Sequence, residues 1–120
     1  MELKLISPTA KAPGQEFTGD VYVNPIHRGE DPSRMIVGLV RFTPGARTNG
    51  RSHDLGQTLH VTDGIGLVVT RDGTVIRMRA GDTDGNFMSH LALLEDAGHD
   101  NGTTWLEPVT DDQYRAANQQ

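Results

Sequence analysis

The sequence predicts an all-β chain, a small barrel or sandwich that ends in one short helix. Three observations carry that expectation. Fourteen glycines punctuate the chain, and stretches with helical periodicity are few. Short apolar runs rich in β-branched residues recur between glycine and proline turns. An Asp-Gly pair, Asp72-Gly73, separates two of these runs, which is a strong hairpin signal.

The elements follow in chain order. "RMIVGLVRF" (34–42) is framed by Pro32 and by Pro44-Gly45. Period two puts Ile36, Gly38, Val40 and Phe42 on one face and Met35, Val37, Leu39 and Arg41 on the other. Both faces are largely apolar, so this strand is expected to be covered on both sides. Gly38 leaves room on its face for a ligand or a second backbone. "QTLHVT" (57–62) alternates Gln57, Leu59 and Val61 against Thr58, His60 and Thr62. "GLVVT" (66–70) and "TVIRMR" (74–79) flank Arg71-Asp72-Gly73 and form the predicted hairpin, with positive φ at both central residues. "FMSHLALL" (87–94) sets Phe87, Ser89, Leu91 and Leu93 against Met88, His90, Ala92 and Leu94. A shorter strand is expected near "TTWLEPV", and "AGHDNGTT" (97–104) is the most loop-like stretch. In the tail, Thr110 and Gln113 form a capping box, with Asp111 and Asp112 in the first turn. Tyr114 is the expected anchor of that helix.

Composition narrows the function classes. At 120 residues the chain fits one domain, 1–120, without staples. Without cysteine there are no disulfides, no thiolate catalysis and no Cys-ligated metal. "MELKLISPTAK" carries no signal-peptide pattern and no run is long enough to span a bilayer, so a cytoplasmic protein is expected, with no membrane partner. Net charge is −5, from 11 basic and 16 acidic side chains, and the basic residues are scattered. That argues against a nucleic-acid partner.

The chemistry concentrates in "TNGRSHDLGQTLHVTDG" (48–64). Gly45 is followed at six positions by Arg51, then by Ser52 and His53; Gln57 comes four later and Gly64 seven beyond that. Imidazole and amide oxygen are ligand types for Mn, Fe, Ni or Zn. On the residues alone, His53 before Asp54 also reads as a surface histidine, and Gln57 as a hydrogen-bonded amide inside a barrel.

The order Gly, five residues, x-x-His, three residues, Gln, six residues, Gly resembles the first signature of the cupin superfamily. "FTPGART", "LGQTLHVTDG", "MSHLAL" and "EPVTDDQY" together resemble small bacterial cupins that include manganese-dependent hydroxynitrile lyases. The resemblance runs from about Phe17 to Tyr114. It implies a cupin fold (a double-stranded β-helix or jelly-roll barrel) and a divalent metal held by two histidines of His-x-His, a Gln or Glu, and one later histidine. His53 and Gln57 match two of these positions, and Arg51 replaces the first histidine. The second signature begins at Gly81-Asp82 and then departs, because relatives need roughly a dozen more residues before the strand that holds His90. "TDGN" (83–86) stands in for that segment. The chain reverses there directly through Asp84-Gly85, or the segment was lost by engineering or truncation; the sequence leaves these open.

Arginine does not deprotonate. A guanidinium a few ångströms from a dication is repelled by several kcal/mol at an effective dielectric near 20. Either Arg51 turns to solvent or the metal is excluded. His90 matches a histidine near the pocket in relatives, a candidate base for a substrate hydroxyl, and reads otherwise as a satisfied strand histidine. Gly38, Val40 and Phe42 would wall the ligand pocket. His60 is expected outside, and His27 and His99 in solvated turns.

Three readings follow: an impaired metal-dependent lyase of cyanohydrins, a metal-free barrel in which Arg51 meets a carboxylate or phosphate, and a non-catalytic or engineered scaffold. The expected partners are a small-molecule ligand and further copies of the chain, as a homo-oligomer (dimer or tetramer).

Overall fold

The computed structural model describes residues 1, 3–5, 7–80, 87–98 and 102–119. The "TDGN" segment with its Asp84-Gly85 turn, the Gly81-Asp82 pair and His99 lie outside the described residues.

The regular structure of the described residues is mostly antiparallel strands, as expected. A six-stranded sheet runs β1 (Ala10–Lys11), β3 (Val21–Arg28), β4 (Met35–Phe42), β9 (Met88–Glu95), β7 (Gln57–Val69), β8 (Val75–Ala80). Two small pairs lie beside it: β2 (Phe17–Thr18) with β5 (Arg47–Thr48), and β6 (Arg51–His53) with β10 (Thr103–Trp105).

Register fixes what faces inward. Val23, Val40, His90 and Val61 share one rung, and Pro25, Gly38, Ala92 and Leu59 share the next. Gln57 follows on the rung of Ile36 and Leu94. Paired residues project to the same side, so Gln57, His90, Gly38, Val40 and Phe42 occupy one face. Phe42 and Ala92 are buried there, with Val21 fully enclosed beside them.

The structure differs from several expectations, each for a physical reason. "QTLHVT" and "GLVVT" are one 13-residue strand. The register shifts between Val61 and Asp63, and Gly64 takes φ +78°, so β7 bends instead of ending. At that bend a Cβ on Gly64 would overlap the Phe87 carbonyl oxygen.

The 70–74 turn is not a two-residue hairpin loop. Only Gly73 is at positive φ (+88°), and its N–H donates to the Thr70 carbonyl while the Thr70 N–H donates to the Thr74 carbonyl. Asp72 stays out of the left-handed region and accepts from Thr70 Oγ1 and the Thr74 N–H instead.

β4 is not sealed on both sides. Val37 and Leu39 are half-buried, and Met35 remains 51% exposed. His27 lies in a strand and is half-buried, not in a turn, because Val21–Arg28 pairs with β4. Pro25 lacks the ladder N–H, and the register breaks just after it. β9 carries β4 on one edge and β7 on the other, so no direct β8–β9 hairpin ladder can form.

The helix α1 (Asp111–Asn118) has the expected capping box: Thr110 Oγ1 accepts from the Gln113 N–H, and the Gln113 side chain accepts from the Thr110 N–H. Tyr114 does anchor it, beneath the Arg47 guanidinium at 5.0 Å. Arg47 also donates to the Val109 carbonyl at 2.9 Å and pairs with Asp111 at 2.6 Å. Ala117 is the buried residue of the helix.

Candidate functional site

The site forms where β6 meets the start of β7, through Arg51, His53 and Gln57. Arg51 and His53 alternate along β6, so both side chains point the same way, and Ser52 points outward and is exposed. Gln57 opens β7 four residues later, after a turn in which Gly56 takes φ +77°. β10 covers the other edge of β6, pairing Trp105 with Arg51 and Thr103 with His53.

Arg51 turns inward. Its Nε donates to His53 Nε2 at 3.2 Å and its Nη2 donates to Gln57 Oε1 at 3.3 Å. The guanidinium carbon lies 5.8 Å from the centre of the Trp105 ring, a cation–π distance. Among the described residues no carboxylate pairs with it. Burial alone lowers the Arg51 pKa from its ordinary value, which leaves so strong a base protonated.

These contacts set the state of His53. Its Nε2 accepts from Arg51, so Nδ1 carries the proton and donates to Thr103 Oγ1 at 3.0 Å. His53 is therefore neutral. Burial holds its pKa below the ordinary value, Arg51 adds to that, and Gln57 works the other way.

His90 sits deeper, 3% exposed, against Phe42 with ring centres 5.5 Å apart. Its Nδ1 is buried with no hydrogen-bond partner. Burial and then the charge of Arg51 lower its pKa, opposed by a contact with the Leu91 backbone. His90 is neutral at pH 7.

The predicted residues thus assemble unevenly. Arg51, His53 and Gln57 are in direct contact, and His90 lies on the same inner face with Val40 on its own rung and Phe42 against its ring. Gly38 lies one rung beyond, opposite Ala92, and a Cβ there would meet only the Asn24 carbonyl at 3.8 Å. His60 is exposed, as expected. Sequence reasoning missed Trp105, Thr103 and Phe17. Phe17 packs edge-on against Trp105 at 5.9 Å and tilts against Phe42 at 6.5 Å. The one signal for Trp105 was its being the sole tryptophan, in a short β-like run.

Among the described residues the donor set does not fit a first-row metal. The two lone pairs that a metal would take, on His53 Nε2 and Gln57 Oε1, face N–H groups of a permanent cation. Among the described residues no group of three His, Asp or Glu side chains could hold an ion.

Comparison with known proteins places the chain. It is 36% identical over 131 residues to an (R)-mandelonitrile lyase of Granulicella tundricola, covering 96% of this chain and 99% of that one. Its fold superposes on a cupin-like protein of Thermotoga maritima with a TM-score of 0.79 and 30% identity, covering 90% of this chain and 92% of the other. No family model matches the sequence. Among the described residues no helix is long and apolar enough to cross a membrane.

Proposed function

This chain belongs to the small cupins of the (R)-mandelonitrile lyase family, and from that premise we propose that it is a metal-free member whose barrel binds a small anion at Arg51. One observation carries the reading. A partly buried guanidinium occupies both remaining ligand atoms, His53 Nε2 and Gln57 Oε1, yet has no carboxylate partner among the described residues. A cation held away from bulk water without a counter-ion is costly. A ligand carboxylate or phosphate would supply the missing charge through charge-assisted hydrogen bonds.

On this reading the metal-dependent cleavage or synthesis of cyanohydrins implied by the cupin resemblance is impaired. Should any cleavage persist, His90 is the group for the hydroxyl proton. It would take that proton as the carbonyl forms, and cyanide would leave with the electron pair of the broken carbon–carbon bond. Its neutral state, its buried position and its unpartnered Nδ1 support that role. The absence of cysteine agrees with a cytoplasmic setting.

Elemental analysis tests the first half. Purified protein should hold well under one metal per chain, and stoichiometric Mn, Fe, Ni or Zn would overturn the reading. Thermal unfolding tests the second. Acetate or phosphate should raise the melting temperature of the native chain and leave Arg51→Ala unmoved; equal shifts in both would refute a site at Arg51.

The same proposal includes self-association. The chain exposes 8287 Å², where a compact monomer of its mass exposes roughly 6,400 Å². The excess of roughly 1,900 Å² exceeds the roughly 800 Å² per partner of a standard interface. Leu3 and Leu5 near the N-terminus are also exposed. Light scattering should give a dimer or tetramer, and a monomer would exclude this.

A further inference from the structure

We propose that the anion taken at Arg51 is a small aromatic carboxylate, bound through its carboxylate to the guanidinium and through its ring to the aromatic wall of Trp105, Phe17 and Phe42. The inference rests on the anion-binding reading above and narrows it to a ligand class.

The donor geometry selects the carboxylate. Arg51 uses its side-facing pair, Nε and Nη2, on His53 and Gln57. Among the described residues Nη1 has no hydrogen-bond partner. The end-on pair, Nη1 with the second N–H of Nη2, therefore remains for a planar acceptor with two oxygens in one plane. A carboxylate matches that fork in a bidentate way. His53 and Gln57 are neutral acceptors already committed to Arg51, so they add no competing negative charge.

The walls select the ring. Trp105, Phe17, Phe42 and His90 form a continuous series, with successive centres 5.9, 6.5 and 5.5 Å apart. Arg51 sits over the first ring, and its positive charge acts on the last. A ligand ring joining this series gains edge-to-face or offset contacts worth about 0.5–1.5 kcal/mol beyond its buried area. An aliphatic group of equal size gains the area alone. Val40, Leu59 and Val61 on this face, and Phe17 and Trp105 beside it, are half-buried, so part of each side chain is still open to a ligand.

His90 completes the argument independently. Its Nδ1 is unpartnered in a side chain that is 97% enclosed (3% exposed), and native proteins rarely leave a buried polar nitrogen unpaired. A hydroxyl or carbonyl oxygen on the ligand is the kind of group that would satisfy it.

The test is a ligand series on the full native chain, read by calorimetry and by the fluorescence of Trp105, the only tryptophan. The probes are acetate, cyclohexanecarboxylate, benzoate and benzamide. Benzoate should bind several-fold, up to about tenfold, more tightly than cyclohexanecarboxylate, acetate should bind more weakly than either, and benzamide should not bind measurably. Phe17→Leu should weaken benzoate several-fold while leaving acetate unchanged, with folding checked by circular dichroism. If cyclohexanecarboxylate, or acetate, binds as tightly as benzoate, the aromatic inference is overturned while the anion site stands. If benzamide matches benzoate, the carboxylate assignment is overturned. If none of the four binds, the anion-binding reading falls with it. The native-chain series decides the matter even where a variant does not fold.

Discussion

Replacing Arg51 by methionine should stabilise the protein. The substitution keeps an unbranched side chain of similar reach and removes the charge. What is lost is modest. The two hydrogen bonds, at 3.2 and 3.3 Å, are long for their type, and His53 and Gln57 are half-buried, so water can take up both acceptors. Their net worth is about 1–2 kcal/mol together, with about 0.5–1 kcal/mol for the Trp105 contact. What is gained is larger. A guanidinium drawn out of water, with no counter-ion among the described residues, costs several kcal/mol before relaxation, and a methionine in its place packs well against an indole. The expected balance is about 1 kcal/mol in favour of Arg51→Met, a rise of about 3–5 °C in melting temperature for a chain of this size. Urea denaturation with an unchanged slope and a higher midpoint would record it. A loss of more than about 1 kcal/mol would refute the reasoning. Arg51 would then be a structural keystone, and its lack of a carboxylate partner would no longer point to a ligand.

Two further predictions concern the scaffold around the site. Gly64→Ala should cost about 2–4 kcal/mol: φ +78° disfavours any Cβ by about 1–2 kcal/mol, and the overlap with the Phe87 carbonyl forces β9 to move; a chemical-denaturation midpoint equal to that of the native chain would contradict this. Acidification should destabilise the protein between pH 7 and 5, because the unfolded chain binds a proton on His90 near pH 6.5 and the folded chain resists it. The stability from this residue is complete above the unfolded pKa and falls as pH drops towards the lowered folded value. His90→Phe should flatten that part of the curve, and an equally steep loss in the variant would assign the effect elsewhere.

What could be read from the sequence divides along physical lines. Gln57 and His90 were singled out by the cupin resemblance; alternation fixed which neighbours share their faces but left open which face His90 turns inward. The Thr110–Gln113 cap was legible because it is local, spanning four residues. β3 was not, because Asn24, Pro25 and His27 break its alternation, and it is held as a strand only by its pairing to β4. The direction of Arg51 was left open between solvent and site. It turns inward because Trp105, more than fifty residues away, supplies a face for the guanidinium, and no local pattern records that pairing. Arg47 was passed over for a related reason. Its partners are Val109, Asp111 and Tyr114, at the other end of the chain.

The inward-turned guanidinium of Arg51 has one further consequence. A bound metal is in exchange with solution, so its charge depends on supply, can be stripped by a chelator and is absent from newly made protein. The charge of Arg51 is covalent. It arrives with the fold in every copy, at full occupancy and without any loading step. It also cannot be withdrawn. The Arg51, His53 and Gln57 cluster keeps that positive charge in every copy.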